Sequence, residues 1–403
     1  MNSSAQPPAR SAELVLVTPD GRVVGRWPPM PVATPWWQDI GPVVQAARER
    51  YGVEVIVLRL LDAEHDQPPG GRVRYLAEVA GPVAAEPWDG VLDDHPLRLG
   101  YARPGGPAAD LAWAKATLAP GGRRCTTAPS QVRTWNLSSL WSIPTDRGVA
   151  WLKVFPPFFA HEGRLLEALA GEPVPVVLGR QGGRLLMEEI AGKDLYAATG
   201  DQLLAMVDAL VPLQFSWTER SQALLDLGLP DWRGPALGLA IARLVERHVG
   251  SLTDDARAVL GPFVETLPKR FANLAACGLG DTLVHGDFHP GNFRGGPSLP
   301  LVLLDWGDSG VGHPLLDQTA FLSRIPADEV RPAREHWTRR WRKAAPGSDP
   351  ERAARLLAPV AAARQAVIYQ GFLDRIEPSE HPYHHADPLD WLQRTAEVLS
   401  RTS

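Results

Sequence analysis

The sequence predicts an α+β protein in three successive parts: a small β-rich unit at the N-terminus, a second small β-rich lobe, and a large helical lobe. Three observations carry this reading. Short β-branched and aromatic runs separated by turn residues cluster twice before residue 190. Between the two clusters, Gly81–Gly122 is rich in Pro, Gly and Asp. Beyond Gly192, apolar residues recur three and four positions apart, the spacing of a helix buried along one face.

In chain order, a polar, Pro-containing stretch leads into Glu13–Thr18 and Arg22–Trp27, which flank Pro19-Asp20-Gly21. Proline presets φ and glycine accepts a positive φ, so these three residues predict a hairpin turn. Asp39 is placed to cap a helix through about Tyr51, with Val43, Val44 and Ala47 on one side and Gly52 as its stop. Strands are predicted at Val53–Leu61 and Val73–Val79. The Gly81–Gly122 stretch, with Arg103-Pro-Gly-Gly-Pro107 inside it, predicts a linker and a domain boundary near residue 110. Strand signals resume at Gln131–Ile143 and Val149–Phe155, separated by the turn-rich Pro144–Gly148. Ala160–Leu169 predicts a short helix carrying Leu165, Leu166 and Leu169, and Arg184–Ile190 one more strand. Leu203, Leu204, Val207, Leu210 and Val211 mark a long helix. Val259, Leu260, Phe263, Val264, Leu267, Phe271 and Leu274 mark another, ending near Gly278. The predicted domains are thus 1–110, 111–190 and 191–403, with no internal repeat of fixed period.

Composition narrows the function. With 403 residues, 44% hydrophobic and 22% charged, the chain suits a folded protein of two or three domains. Its 41 basic and 46 acidic residues are interspersed and leave a net charge of -5, without the basic face that a nucleic-acid partner requires. Cys125 and Cys277 lie far apart without metal-ligand spacing, which predicts buried thiols. The first residues lack the apolar core of a signal peptide, and no run reaches the ~20 apolar residues of a membrane span. A cytoplasmic protein without a membrane partner is expected.

The chemistry is concentrated in Leu283-Val-His285-Gly286-Asp287-Phe288-His289-Pro290-Gly291-Asn292, followed by the apolar strand Leu301–Leu304 and then Asp305-Trp306-Gly307. A carboxylate, an amide five residues later and a second carboxylate at a strand end suit phosphoryl transfer. That reaction asks a protein mainly to position the nucleophile and neutralise phosphate charge. Mg²⁺ takes oxygen ligands and one or two carboxylates, which fits Asp305 with the carboxamide oxygen of Asn292 and leaves Asp287 to orient and deprotonate a hydroxyl.

These segments, with Asp305-Trp-Gly-Asp-Ser-Gly-Val-Gly-His-Pro-Leu-Leu-Asp317, resemble the aminoglycoside phosphotransferase and choline kinase-like family, relatives of protein kinases. The resemblance implies a bilobal protein-kinase-like fold that transfers the γ-phosphoryl group of ATP to a small-molecule hydroxyl. It implies Asp287 as catalytic base, Asn292 and Asp305 as ligands of Mg²⁺, Asp317 as a brace of the catalytic loop, and His285 and His289 as loop supports. In Ala150-Trp-Leu-Lys153-Val-Phe it places Lys153 on the α/β-phosphates, with Glu162 directing it and Glu167 as the fallback partner. It places a lobe hinge at Leu186–Ile190, where backbone groups of Glu188 and Ile190 meet adenine and Met187 lies close behind.

The sequence departs from protein kinases at three points. The expected phosphate loop, Arg133–Trp141, has no glycine, so Ser138 and Ser139 become the phosphate contacts; His-Gly-Asp replaces His-Arg-Asp; and no Ala-Pro-Glu segment follows Asp305. A protein acceptor is therefore disfavoured. Asp231, Asp308, Asp374, Glu377 and Asp387 are available to bind amino groups of an acceptor, while the histidines at 381, 384 and 385 lack metal spacing. The N-terminal unit resembles a small α/β Nudix fold, but of the paired-glutamate box only Glu49 and Gly52 align, which implies a degenerate module for packing or binding. A nucleotide-binding module without catalysis is the alternative reading, opposed by the joint presence of Lys153, Asp287, Asn292 and Asp305.

Overall fold

In the computed structural model, residues 8–296 and 298–402 are described; residues 1–7 of the polar N-terminal stretch lie outside them. The chain forms two compact units, each drawn from three stretches of sequence. The first takes the residues up to Phe158, Val177–Glu189 and Phe372–His385; the second takes Phe159–Val176, Ile190–Gly371 and Ala386–Ser403.

The first unit opens with β1 (Arg10–Val17), β2 (Val23–Val32), α1 (Gly41–Tyr51), β3 (Val55–Ala63) and β4 (Gly71–Val79). They make a four-stranded sheet in the order β2-β1-β4-β3, with β1 antiparallel to β2 and parallel to β4. The predicted hairpin turn forms: Thr18 N donates to Arg22 O at 2.9 Å and Gly21 sits at φ +86°. β2 runs past its predicted end through Pro28 and Pro29, because an edge strand can spare the N–H groups that proline lacks.

In α1, Gly52 stops the helix as predicted, at φ +68°, and Val43 and Ala47 face the core. Asp39 does not cap it. The helix begins two residues later at Gly41, Ile40 takes the cap position without a side-chain bond, and the Asp39 carboxylate instead accepts Thr34 Oγ1 at 3.2 Å. Pro42 in the first turn already removes one of the N–H groups a cap would serve.

The predicted linker is corrected in part. It contains α2 (Gly106–Leu118), an alanine-rich run in which Pro107 stands in the first turn, where no N–H is needed. The run Gln131–Ile143 divides within the expected loop: β5 (Ser130–Trp135) and β6 (Ser138–Thr145) turn at Asn136, whose side chain donates to Glu380 O at 3.1 Å. With β7 (Gly148–Val154), β8 (Val177–Gln181) and β9 (Arg184–Glu188) they form an antiparallel sheet in the order β5-β6-β7-β9-β8. The buried Gln131 amide ties β5 to β3, donating to Val57 O at 2.7 Å and accepting from Val57 N at 2.9 Å.

Residues 372–385 complete this unit from far along the chain. Tyr383 is 7% exposed within the core that also holds Trp27, Trp37 and Tyr75. Glu380 Oε1 accepts from Leu60 N at 2.9 Å, and Glu377 pairs with Arg98 at 2.6 Å.

The second unit is mostly helical, as predicted. It comprises α3 (His161–Ala168), α4 (Asp201–Ser216), α5 (Ser221–Asp226), α6 (Gly234–His248), α7 (Asp254–Ala275), α8 (Leu315–Leu322), α9 (Val330–Ala344), α10 (Pro350–Leu373, whose last two residues belong to the first unit) and α11 (Asp387–Thr402). The predicted stripes bury Leu203, Val207, Leu210 and Val211 on α4, and Leu260, Phe263, Leu267 and Leu274 on α7. Thr253 caps α7 by accepting from Ala256 N at 3.2 Å, and Gly278 follows its end at φ +75°. Two three-stranded sheets complete the unit. One orders β10 (Lys193–Asp194), β13 (Phe293–Gly296) and β14 (Leu299–Leu303). The other orders β11 (Asp231–Trp232), β15 (Gly310–Gly312) and β12 (Thr282–Val284). Among the described residues no helix is long and apolar enough to cross a membrane.

Candidate active site

Two short ladders in the second unit gather the chemistry. β12 pairs antiparallel with β15, Val284 opposite Gly310, so the 285–292 loop starts beside the segment that follows Asp305. β13 and β14 pair with Phe293 opposite Leu303, and Leu304 N donates to Asn292 O at 2.7 Å. Asn292 and Asp305 therefore stand at the same end of one hairpin. Asp305 adopts φ 62°, the one positive φ outside glycine among the described residues. A side chain held in this sparsely populated region is the kind of strain that concentrates at functional sites.

The loop is braced from below. Asp317, on α8 and fully buried, accepts from His285 N and Gly286 N at 2.8 Å each and from Gln214 Nε2 at 2.9 Å. Burial raises its carboxyl to about 6 against these bonds and the nearby Arg364. His285 is buried with its Nε2 2.8 Å from Leu304 O, which places the ring proton on Nε2 and ties the loop to the strand end before Asp305. Burial holds its imidazole down at about 4, hence neutral near pH 7. Gly286 sits at φ +92°, and a Cβ there would overlap Asp308 O, which accounts for glycine between His285 and Asp287.

Asp287 emerges from this frame with its side chain 32% exposed. Asn292 Nδ2 donates to its Oδ2 at 3.2 Å and to its backbone oxygen at 2.8 Å, which leaves the Asn292 carboxamide oxygen for another partner. His289 accepts Gly291 N on Nδ1 at 3.0 Å, so its Nε2 carries the proton that faces Asp287 Oδ2 at 3.4 Å. Arg324 lies 3.7 Å from Oδ1. Burial alone would push the Asp287 carboxyl up; His289 and then Arg324 outweigh it and hold the group at about 2. Such a carboxylate is ionised at any working pH and is a weak base. It can orient a hydroxyl and take its proton late, which suits a loose transfer in which the attacking oxygen gains little bonding early.

Among the described residues no three His, Cys, Asp or Glu side chains are grouped to hold a metal. Asn292 and Asp305 supply two oxygen donors, which fits a cation that completes its shell with phosphate and water, as Mg²⁺ does, better than one needing an all-protein cage.

The other predicted residues are placed as follows. Glu162, on α3, is 2% exposed and its Oε2 lies close to Gly307, two residues past Asp305, whereas Glu167 on the same helix is exposed. Ile190 follows β9 in the second unit, half-buried. In the first unit, Lys153 lies on β7 opposite Leu140 and Leu185, its Nζ 6.0 Å from the Phe155 ring centre. Ser138 and Ser139 are in β6 rather than in the turn, buried, and their hydroxyls accept from Trp135 Nε1 at 3.2 Å and Trp141 Nε1 at 3.0 Å. Glu188 closes β9 opposite Ala150, with its carboxylate paired to Arg123. Lys153, Ser138, Ser139 and Glu188 thus share one sheet, while His285, Asp287, Asn292, Asp305, Asp317 and Glu162 belong to the second unit.

Sequence reasoning missed Gln214, Arg324 and Arg364. Arg364 is 2% exposed and donates to Gly286 O at 3.4 Å and Asp308 O at 3.3 Å, clasping both sides of the loop. A lone arginine in the Ala-rich run Val360–Val367, and a lone glutamine in the apolar stripe of α4, were the available signals.

Residues 137–357 match the phosphotransferase enzyme family. No curated protein matches the chain. Among solved structures, a choline/ethanolamine kinase family protein from Mesorhizobium loti aligns with 73% of this chain and 97% of its own at 17% identity and a TM-score of 0.52, a likeness of fold. Weaker similarity, at TM-scores of 0.43 and 0.45, links the chain to two further structures. The macrolide 2'-phosphotransferase of Brachybacterium faecium has 18% identity, 68% of this chain and 97% of that one. The GDP complex of aminoglycoside 2'-phosphotransferase-IIIa has 15% identity, 73% of this chain and 98% of that one.

Proposed function

The chain belongs to the phosphotransferase enzyme family, and from that premise we propose that it moves the γ-phosphoryl group of Mg-ATP to a hydroxyl of a small molecule in the cytoplasm. The observation that carries this reading is the Asp287–Asn292 hydrogen bond at 3.2 Å, with Asp305 at the end of the same hairpin as Asn292. Asp287 orients the acceptor hydroxyl and receives its proton as the oxygen commits to phosphorus. Asn292 and Asp305 hold the magnesium, which when bound neutralises phosphate charge. His285 and Asp317 keep the loop in place, and His289 and Arg324 keep Asp287 charged. Lys153 contacts the α/β-phosphates; the burial of Glu162 favours it over the exposed Glu167 as the carboxylate that directs this lysine. Ser138 and Ser139, their hydroxyls already accepting from indoles, contribute through what those hydroxyls can still donate and through the strand they build. Backbone groups of Glu188 and Ile190 receive the adenine.

The acceptor is small because the chain lacks the Ala-Pro-Glu segment of protein kinases. The three-domain division at 110 and 190 belongs to the same proposal, with the first domain acting as a packing or binding module: Glu49, the one glutamate of its box, is exposed and accepts from Gln45 at 2.8 Å.

The test is ADP release from Mg-ATP against aminoglycosides, macrolides, choline-like amines and sugars, for the wild type and Asp287→Ala. Acceptor-dependent turnover that falls by about 10²–10⁴ in the variant is the expected result. Tight nucleotide binding without turnover on any acceptor would instead favour a binding module.

A further inference from the structure

In the first unit, the segment before α2, the residues after β7 and the β8–β9 turn enclose a cleft of about 850 Å³, within the range of small-molecule sites. Every residue that lines it belongs to that unit, and none is assigned above to phosphoryl transfer. Its floor is apolar, with Leu97 and Leu99 from the first of these segments and Phe155 and Phe158 from the second. At the turn the wall is bare backbone, because Gly183 stands where a Cβ would overlap Phe155 O.

The charged lining is three arginines and one aspartate. Arg98 is fully bonded: Glu377 accepts from its Nε at 3.0 Å and from Nη2 at 2.6 Å, and Asp93 O accepts from Nη1. Arg184 is bonded on one edge only. Its Nε donates to Asp110 Oδ1 at 2.7 Å, which orients the guanidinium and meets the charge of a carboxylate that is 5% exposed. Neither Nη1 nor Nη2 donates to any described residue, and both keep accessible surface on a side chain that is 29% exposed. Arg375 is exposed, its guanidinium over the Phe158 ring at 4.2 Å. The cleft thus joins accessible paired donors to an aromatic floor under an excess of positive charge. A planar carboxylate matches the fork of arginine donors, and the excess charge favours it over a neutral group.

We propose that this cleft is a second binding site, distinct from the residues of phosphoryl transfer, for a small amphipathic carboxylate. The carboxylate accepts from Nη1 and Nη2 of Arg184 in the field of Arg375, and the apolar body lies against Phe155, Phe158 and Leu97. Phe155 links the site to the nucleotide: its ring centre is 6.0 Å from Nζ of Lys153, so an occupant touches the residue that backs the lysine assigned to the α/β-phosphates.

The probe is pyrenebutyrate, a fluorescent amphipathic carboxylate, titrated into the full chain alongside pyrenebutanol, which has the same body and no charge. Saturable binding of the acid is expected, at least about 10-fold tighter than that of the alcohol. Arg184→Lys keeps a cation for Asp110 and removes the forked donors, while Arg375→Glu reverses a charge at the surface. Each should weaken the acid at least about 5-fold and move the alcohol by less than about 2-fold. No saturable binding overturns the proposal, as does acid binding that both variants leave unchanged. A loss shared equally by acid and alcohol also overturns it. So does displacement competitive with Mg-ATP, because the probe would then occupy the nucleotide site.

Discussion

A carboxylate held at about 2 makes a specific statement about pH. Asp287 stays charged until the pH falls through about 2, so it should contribute no acid limb to the kcat profile above about pH 4. His289 provides the largest share of the downward pull. His289→Leu should therefore bring an acid limb up toward the ordinary carboxylate range, near pH 4, with a smaller change at neutral pH. A profile identical to wild type would show that His289 does not set the charge of Asp287. Asp317 has the opposite character, a carboxyl raised to about 6 by burial while it accepts from two backbone N–H groups and Gln214. In Asp317→Asn one loop N–H must face an amide NH₂. An unmet buried donor costs about 1–3 kcal/mol, so a fall in kcat of at least about 10-fold with little change in nucleotide affinity is expected in steady-state assays.

At the scale of elements, the site is made by where two antiparallel ladders end. The β12–β15 and β13–β14 pairings bring Asp287, Asn292 and Asp305 to one region, and Gly286 lets the first pass under the carbonyl of Asp308. Gly286→Ala forces both a side chain at φ +92° and an overlap with that carbonyl. It should cost several kcal/mol of local stability, and activity should vanish while far-UV circular dichroism is largely kept. The motif residues were legible in the sequence because loop chemistry and the apolar strand after it are local signals. The long helices α4 and α7 were legible because their stripes repeat over several turns. The start of α1 and the existence of α2 were misread because Asp, Gly and Pro were taken as caps and breakers, whereas Pro42 and Pro107 occupy first turns that accept proline. The clasp of Arg364 on Gly286 spans 78 positions of sequence, and nothing local announces such a contact.

The same distance limit governs the whole molecule, most clearly in the first unit, whose core is closed by a segment some 320 residues away from the strand it meets. Tyr383 packs edge-on against Trp37 and Trp135, so Tyr383→Ala removes an aromatic side chain from a filled core and should cost about 3–5 kcal/mol in denaturant unfolding. Glu380 gives this closure a pH dependence. Its Oε1 accepts from Leu60 N, its Oε2 is buried without a partner, and burial raises its carboxyl to about 8. The folded acid keeps its proton to about pH 8, while the unfolded one loses it near the ordinary value of 4.5. Unfolding between those limits releases a proton, so this group's contribution to stability is full at low pH and declines as pH rises through about 8. Glu380→Gln keeps an acceptor for Leu60 N and cannot ionise. Its unfolding free energy should fall less between pH 6 and pH 9 than that of the wild type, by roughly 2–3 kcal/mol. Parallel curves for the two proteins would mean that Glu380 is ionised in the fold, its charge met by Arg59.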